Sequence, residues 1–243
     1  MKYRIAFAAA ALVALAAAHN IPQTPTEADR QAAAQILGPL AATVIDAAPA
    51  TYEDEIDLIL AVQDAVLKVA PVHDGIPLGK AREPKDLYEA RAGLCYDRSR
   101  AIEKLLRLAG LETRHVAVYA VTENENALST LLTPRGQSHA VTEVLTRRGW
   151  VLVDSNRRWA GLSANGEPVS IAQVAERQAP SDRSDRIPDS IDPIFTADFT
   201  YVYGLYSRHG KFYAPYTPIP DVNWAELLDN VTPAFTTSAF AKP

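Results

Sequence analysis

The sequence has little cysteine, since Cys95 is the one cysteine in 243 residues. A single thiol can close no disulfide within the chain, and it offers no CxxC pair to a structural metal. The histidines are scattered and form no HExxH pattern, so we expect no metal site and no cofactor. The thiol is therefore either a buried side chain or a reactive one.

Excess positive charge and a glycine-rich phosphate loop are also absent. The formal net charge is −5, and it becomes −7 if a leader carrying Lys2 and Arg4 is removed. Phosphate backbones bind basic faces, so nucleic acid is not an expected partner. The composition, 48% hydrophobic and 22% charged, is typical of a globular domain with extensions.

No hydrophobic run has the length of a membrane span. The alanine-rich run from Ile5 to Ala18 follows Lys2 and Arg4, and it is shorter than the stretch of about 20 residues that a transmembrane helix requires. This pattern is typical of a cleaved secretory signal over residues 1–18, with a retained anchor as the alternative. We therefore expect a periplasmic or secreted protein with no stable membrane insertion after cleavage.

Two helices are predicted ahead of the cysteine. Thr24-Pro25-Thr26-Glu27 has the form of a capping box with proline in the first turn, and it predicts a helix from about Pro25 to Ala48. Thr51 is an N-cap candidate for a second helix, whose apolar stripe runs from Ile56 to Val69. Residues 19–83 are therefore interpreted as an N-terminal helical region that serves as scaffold.

The cysteine itself is predicted to lie at the start of a helix. Residues 71–90 are rich in glycine and proline, which predicts a loop or a set of turns. From Tyr96 the apolar positions recur at helical spacing, and Gly110 supplies the stop. Cys95 then lies in the first turn, where free backbone N–H groups and the positive end of the helix dipole favour the thiolate.

Strands are predicted after this helix, which indicates an α+β fold. Alternating runs rich in valine mark them at Thr113–Val121, His139–Leu145 and Trp150–Asp154. The second and third flank Thr146 to Gly149 and form a hairpin. The remaining segments are predicted as a polar loop over Thr122–Gln137, a short helix over Ser170–Glu176 and a linker over Pro180–Pro193.

Cys95, His139 and Asp154 have the residue types of an activated sulfur nucleophile: a thiol, a base that takes its proton, and a carboxylate that orients the base. Each lies at the end of a predicted element, where a rigid scaffold exposes side chains to a cleft. The other histidines have no carboxylate placed on a neighbouring strand in this way: His19, His73, His115 and His209.

Strand parity gives this hypothesis a geometric test. Opposed residues of an antiparallel hairpin share a face, so an even loop places Asp154 opposite Val141 and diagonal to His139. We therefore predict an even loop or a compensating bulge, with Asp154 bonded to one ring nitrogen of His139 and Cys95 near the other. An odd loop would place Asp154 on the opposite face.

These motifs together resemble the transglutaminase-like superfamily, whose members share a papain-like arrangement of a cysteine-bearing helix against an antiparallel sheet. The matching segments are Gly93–Asp97, Gly110–Arg114, His139–Val144 and Trp150–Ser155. The resemblance covers roughly Pro84 to Trp159. It implies a papain-like, transglutaminase-like catalytic core over residues 84–180, followed by a proline- and tyrosine-rich C-terminal extension over residues 181–243.

By this resemblance, Cys95 is the nucleophile, His139 the general base and acid, and Asp154 the group that orients His139. The resemblance implies attack on an amide of a protein or peptide substrate to give a thioester, released to an amine or to water. The oxyanion would be held by the backbone N–H of Cys95 and one further donor, for which Tyr88 is the candidate.

Two alternatives stay open at this point. No DxDxDG calcium loop is present, which favours hydrolysis over crosslinking because water is the default acceptor. The rival interpretation is a non-catalytic binding or assembly module that keeps the fold and uses its tyrosine-rich tail for contacts, since a fold alone does not imply a function.

Overall fold

The computed structural model describes residues 20–46, 48–77, 80–121, 137–176, 191–206 and 221–230. The predicted signal sequence lies outside the described residues, as do nearly all of the predicted loop after β1 and most of the predicted linker. None of the helices in the described ranges combines the length and the hydrophobicity needed to cross a membrane.

The elements of these ranges are named here in chain order. The helices are α1 (Glu27–Leu37), α2 (Ala41–Asp46), α3 (Tyr52–Val69), α4 (Pro84–Ala90), α5 (Cys95–Leu108), α6 (Ile171–Ala175) and α7 (Trp224–Leu228). The strands are β1 (Glu112–Ala120), β2 (Ser138–Thr146), β3 (Gly149–Val153), β4 (Phe199–Tyr203), β5 (Leu205–Tyr206) and β6 (Asp221–Val222). Short 3₁₀ turns span Gly38–Leu40 and Pro193–Thr196.

The first predicted helix is interrupted, and its cap lies two residues later than predicted. Thr26, not Thr24, is the N-cap of α1: its hydroxyl accepts from the backbone N–H of Asp29 and its own N–H donates to the Asp29 carboxylate. A reciprocal box needs a side-chain acceptor three residues on, which Asp29 supplies. The helix then ends at Gly38, whose φ of 56° favours glycine, and Pro39 follows in the 3₁₀ turn.

The second predicted helix is confirmed as α3. Thr51 caps it by accepting from the backbone N–H of Asp54, which accepts in turn from the N–H of Thr51. Ile59, Val62 and Val66 have no exposed surface and face the core. Burying a side chain of this size stabilises the fold by about 1.5–3 kcal/mol.

The prediction of loop structure throughout residues 71–90 is wrong in its second half, where α4 lies. Proline lacks an N–H and breaks a helix interior, but at the first helical position that N–H would have no partner in any case, so Pro84 begins α4. The short helix predicted near residue 171 is confirmed as α6, with Ser170 as its N-cap.

The cysteine-bearing helix is confirmed as α5. The backbone N–H of Leu94 donates to the Asp97 carboxylate at 3.0 Å, which caps the helix start. The helix ends before Gly110, whose φ is +82°. Ile102, Leu105 and Leu106 are fully buried in the core, so the rigid packing of α5 fixes the position of its first residue.

An antiparallel sheet of order β3-β2-β1-β4 packs with α5, which confirms the predicted α+β class. Its strand β4 comes from residues 181–243, the predicted C-terminal extension, and it pairs with β1 through partners such as Val118 and Tyr201. The sheet core therefore includes sequence from beyond residue 180. The proposed domain boundaries themselves stay a prediction.

The hairpin of β2 and β3 has the predicted even register. Thr146 pairs with Gly149 around a two-residue turn at Arg147 and Arg148. Farther along the ladder, Thr142 pairs with Val153. The next residue, Asp154, therefore leaves β3 at the level of Val141, on the face that parity requires.

Candidate active site

Cys95 is the first residue of α5 and has a free, half-buried thiol. Its backbone N–H lies in the first turn of the helix, where N–H groups have no hydrogen-bond partner within the helix. Asp97 holds this turn in place, because its carboxylate accepts from Leu94 at 3.0 Å and from the Arg82 guanidinium at 2.7 Å. The sulfur therefore sits on a fixed helix start where anions are stabilised.

His139 and Asp154 are joined by a buried hydrogen bond, as the hairpin parity predicted. The distance from His139 Nε2 to Asp154 Oδ1 is 3.2 Å, and the two side chains are 4% and 0% exposed. Each residue lies at one end of its strand, His139 second in β2 and Asp154 just after β3. The structure therefore brings the predicted base and its predicted orienting carboxylate together.

Cys95 also acts on the His139 ring, since its side chain favours the protonated imidazole. Burial of the ring opposes its protonation, but the charge and hydrogen bond of Asp154, with a hydrogen bond from Cys95, outweigh burial and raise the pKa of His139 well above 6.5. Nε2 is directed to Asp154, and the Asn156 side-chain amide nitrogen lies 3.5 Å from Nδ1, so the predicted approach of Cys95 to that second nitrogen stays a prediction. These groups keep the imidazole of His139 protonated above the pH at which a free histidine titrates.

The loop that follows Asp154 is fixed by residues that the sequence analysis missed. Asp154 Oδ1 accepts from the backbone N–H of Asn156 at 2.7 Å and of Arg157 at 3.1 Å. The two N–H groups of Gln63 Nε2 are shared among the carbonyl oxygens of Asp154 (2.7 Å), Arg157 (3.0 Å) and Trp159 (2.7 Å). The available signal was one buried amide, Gln63, within the apolar stripe of α3.

A buried arginine, Arg98, lies one turn after the cysteine and was also missed. Its guanidinium donates to the Ala70 carbonyl at 2.9 and 3.1 Å and to Asn156 Oδ1 at 2.8 Å. Burial lowers the pKa of Arg98, while the neighbouring Cys95, Asp97 and Asp154 groups favour its charge. It therefore places a positive charge beside the candidate thiolate and links the loop before α4 to the loop after β3.

The segment before β4 covers the histidine. The Phe195 ring meets the His139 ring edge-on at 6.0 Å between centroids, and Trp159 lies 5.6 Å from Phe195. This aromatic cover explains why His139 is almost fully buried although it begins a strand. No sequence motif marks Phe195 as a neighbour of the site.

Three separate elements also bring His139, Asp154 and Asp192 together, with one potential ligand atom from each within 4.8 Å of the others. In the part of the chain that the structure describes, this is the one such group that could hold a metal ion. Sequence spacing did not indicate it because its members are far apart in the chain. The Arg157 Nε, 3.8 Å from Asp192 Oδ2, competes for that carboxylate.

The other histidines occupy different surroundings. His115 is buried on β1, and its Nδ1 lies 2.7 Å from Glu103 Oε1. His73 is exposed on the loop after α3, while His19 and His209 lie outside the described residues. Tyr88 is half-buried on α4 with the Arg91 guanidinium 3.9 Å above its ring. The oxyanion role of Tyr88 stays a prediction.

Comparison with known proteins adds a sequence family and two solved structures. Residues 42–155 match the transglutaminase-like superfamily. A candidate cysteine protease from Cytophaga hutchinsonii is 20% identical with a TM-score of 0.37, over 60% of this chain and 43% of that chain. A Rad4–Rad23 complex bound to a 6-4 photoproduct UV lesion is 10% identical with a TM-score of 0.36, over 60% of this chain and 38% of that chain.

The matched region is less than half the length of either solved chain. No protein of curated function matches the sequence. The family match covers α2 to β3 and ends one residue after Asp154, so it contains all three predicted site residues.

Proposed function

Because residues 42–155 match the transglutaminase-like superfamily, we propose that the protein is a thiol enzyme that acts on protein or peptide amides. It would transfer their acyl group to another amine or release it to water. The observation that carries the proposal is the buried hydrogen bond between His139 and Asp154, on an imidazole whose pKa the Cys95 side chain also raises. A thiol, a base and an orienting carboxylate in this order make up an activated nucleophile.

In the proposed reaction, the Cys95 thiolate attacks the amide carbonyl and the carbonyl electrons move to oxygen. The tetrahedral intermediate collapses as the protonated His139 gives its proton to the leaving amine, which leaves a thioester on Cys95. His139 then takes a proton from water or from a second amine, whose attack releases the acyl group and regenerates the thiolate. Asp154 holds the ring and stabilises its charge throughout.

Water is our preferred acceptor, which makes the protein a hydrolase of the cysteine peptidase or amidase kind. The support is the absence of a DxDxDG calcium loop in the sequence, together with the ready availability of water. We further propose export to the periplasm or the cell exterior, which rests on the leader-like residues 1–18. Peptides and proteins of that compartment would be the substrates.

The direct test is the pH dependence of thiol alkylation by iodoacetamide, read by intact mass. Since the chain has one cysteine, the same protein in denaturant is a matched control with an ordinary thiol. We expect folded protein to be alkylated at acidic pH where the denatured control is unreactive, because a thiolate–imidazolium pair supplies the nucleophile. A folded thiol that reacts like the denatured one, or not at all, would favour the binding module.

A peptide library then identifies the reaction. Loss of about 17 mass units on amine capture indicates transglutamination, a gain of about 1 indicates deamidation, and backbone cleavage indicates a peptidase. Cys95→Ala protein is the control for contaminating activity. An unchanged library with folded, alkylation-competent protein would contradict the proposed amide substrates.

A further inference from the structure

His73 lies beside the start of the cysteine helix. Val72 forms a parallel bridge with Ala92, and the backbone N–H of Gly93 donates to the Val72 carbonyl at 3.0 Å. These contacts align the chain at His73 with the residues that lead directly into Cys95. The imidazole is exposed, so it is open to a molecule that approaches this helix start.

Arg98 determines which nitrogen of His73 carries the proton. Arg98 Nη1 lies 3.3 Å from His73 Nδ1, and a guanidinium has only donors. Nδ1 must therefore accept, and the neutral ring carries its hydrogen on Nε2. Arg98 is itself held by the Ala70 carbonyl and by Asn156 Oδ1, so this assignment does not depend on a mobile partner.

The surroundings also keep the His73 ring neutral. Partial burial, the Arg98 charge and the His139 charge all lower the pKa of His73, while the carboxylates of Asp192 and Asp74 oppose them. A neutral imidazole donates one hydrogen bond without bringing a second positive charge that would compete with His139 for the thiolate.

We propose that His73 Nε2–H is the second oxyanion donor of this site, acting with the backbone N–H of Cys95. The inference rests on the proposed thiol acyl-transfer function and deepens it. His73 would take the place that the family resemblance suggested for Tyr88, whose ring packs instead against Arg91. His73 transfers no proton in this role, because it only donates a hydrogen bond to the oxygen that becomes negative.

The test uses two reagents that need the same thiolate but differ in their need for an oxyanion site. Acetylation of Cys95 by p-nitrophenyl acetate passes through a tetrahedral intermediate, whereas alkylation by iodoacetamide does not. For His73→Phe, we expect acetylation to slow by about tenfold to a thousandfold, the range for loss of one oxyanion donor. Alkylation should keep its rate and its pH profile.

His73→Gln is the matched variant, because its amide can donate a hydrogen bond from a similar position. It should recover part of the acetylation rate lost in His73→Phe, while the thermal midpoint of both variants stays that of wild type. Equal acetylation by wild type and His73→Phe would overturn the inference. A parallel loss of acetylation and alkylation would also overturn it, since that would mean damage to the thiolate.

Failure of the proposed function gives a different result. If wild-type Cys95 were alkylated but never acetylated, the acyl-transfer function would fall, and this inference with it. If wild type were acetylated and Tyr88→Phe, rather than His73→Phe, lost that reaction, the function would stand and the assignment of His73 alone would be wrong.

Discussion

Two histidine–carboxylate pairs lie in the part of the protein that the structure describes, and they have different surroundings. His139 contacts Asp154 at 3.2 Å, and His115 contacts Glu103 at 2.7 Å. Both rings are almost fully buried. The difference is in the other neighbours of each ring: the Cys95 side chain raises the pKa of His139, whereas His115 stacks on the Tyr206 ring at 4.0 Å between centroids.

The pair of His115 and Glu103 belongs to the core. Burial raises the pKa of Glu103, but the charges and hydrogen bonds of His115, Arg100 and Tyr206 outweigh it and lower that pKa. Among the described residues, His115 Nε2 has no hydrogen-bond partner, and Ser99 and Tyr206 close the other approaches. A histidine and a carboxylate therefore make a site only where a nucleophile and an opening accompany them.

The largest effect should come from Cys95→Ala, which removes the proposed nucleophile. Acetylation by p-nitrophenyl acetate and alkylation by iodoacetamide should both become undetectable by intact mass. The half-buried first-turn position contributes little apolar area, so folding should be retained. Unfolding of Cys95→Ala, measured by circular dichroism, would instead favour a purely structural thiol.

Substitution of each histidine by alanine should separate the two pairs. For His139→Ala we expect acetylation by the folded protein to fall by about 10³-fold or more, because members of such a unit act together. His115→Ala should leave the acetylation rate of the folded protein nearly unchanged and lower its urea midpoint. The reverse pattern would mean that the base has been assigned to the wrong histidine.

The carboxylate of the core pair should matter to stability more than to rate. Glu103→Gln leaves charged partners around a buried neutral amide, and breaking a buried ion pair costs about 3–5 kcal/mol. Urea unfolding of Glu103→Gln and wild type measures this difference, with Glu89→Gln on the exposed face of α4 as the control. A cost under about 1 kcal/mol, as for a surface pair, would contradict the assignment of Glu103 to the core.

The two pairs should also differ in pH dependence. Because the folded pKa of His139 is raised above 6.5, its stabilisation is fully present below about pH 6.5 and is lost as pH rises through the folded value. In a Cys95→Ala background, where no thiol titrates, Asp154→Asn should therefore cost most stability at low pH and progressively less above it. If urea titrations showed a stability difference between the two proteins that grew with pH, the charged pair of His139 and Asp154 would be contradicted.

Much of this arrangement was predictable from local pattern. Helical spacing and the stop at Gly110 identified α5, and parity of the hairpin placed Asp154 beside His139. These features depend on neighbours in sequence, where capping, periodicity and turn length decide the structure. The α+β class followed from the order of the elements.

The remaining features depend on contacts between residues distant in sequence, which local pattern does not encode. Gln63 and Asp154 are 91 positions apart, and Phe195 reaches His139 from a tail with no recognisable motif. The same limit explains why the contact of His115 with Glu103 was not predicted. The start of α4 was missed for a local reason, because Pro84 is also compatible with a turn.

The smallest effect we expect is at Gln63, which tests whether the rigidity of the loop distinguishes the reactive pair. Gln63→Ala removes the amide that bonds to the carbonyls of Asp154, Arg157 and Trp159, so the Asp154 carboxylate should occupy several positions relative to His139. We expect acetylation to slow about tenfold, since small misplacements of a catalytic group cost rate. Lys68→Ala, exposed on the same helix, is the control.

The acid-shifted alkylation profile should broaden toward that of the denatured thiol in Gln63→Ala alone, because a mobile Asp154 stabilises the imidazolium less. If Gln63→Ala lowered the urea midpoint but kept both rates, the amide would serve the core in the manner of Glu103, and loop rigidity would not be what distinguishes the two pairs.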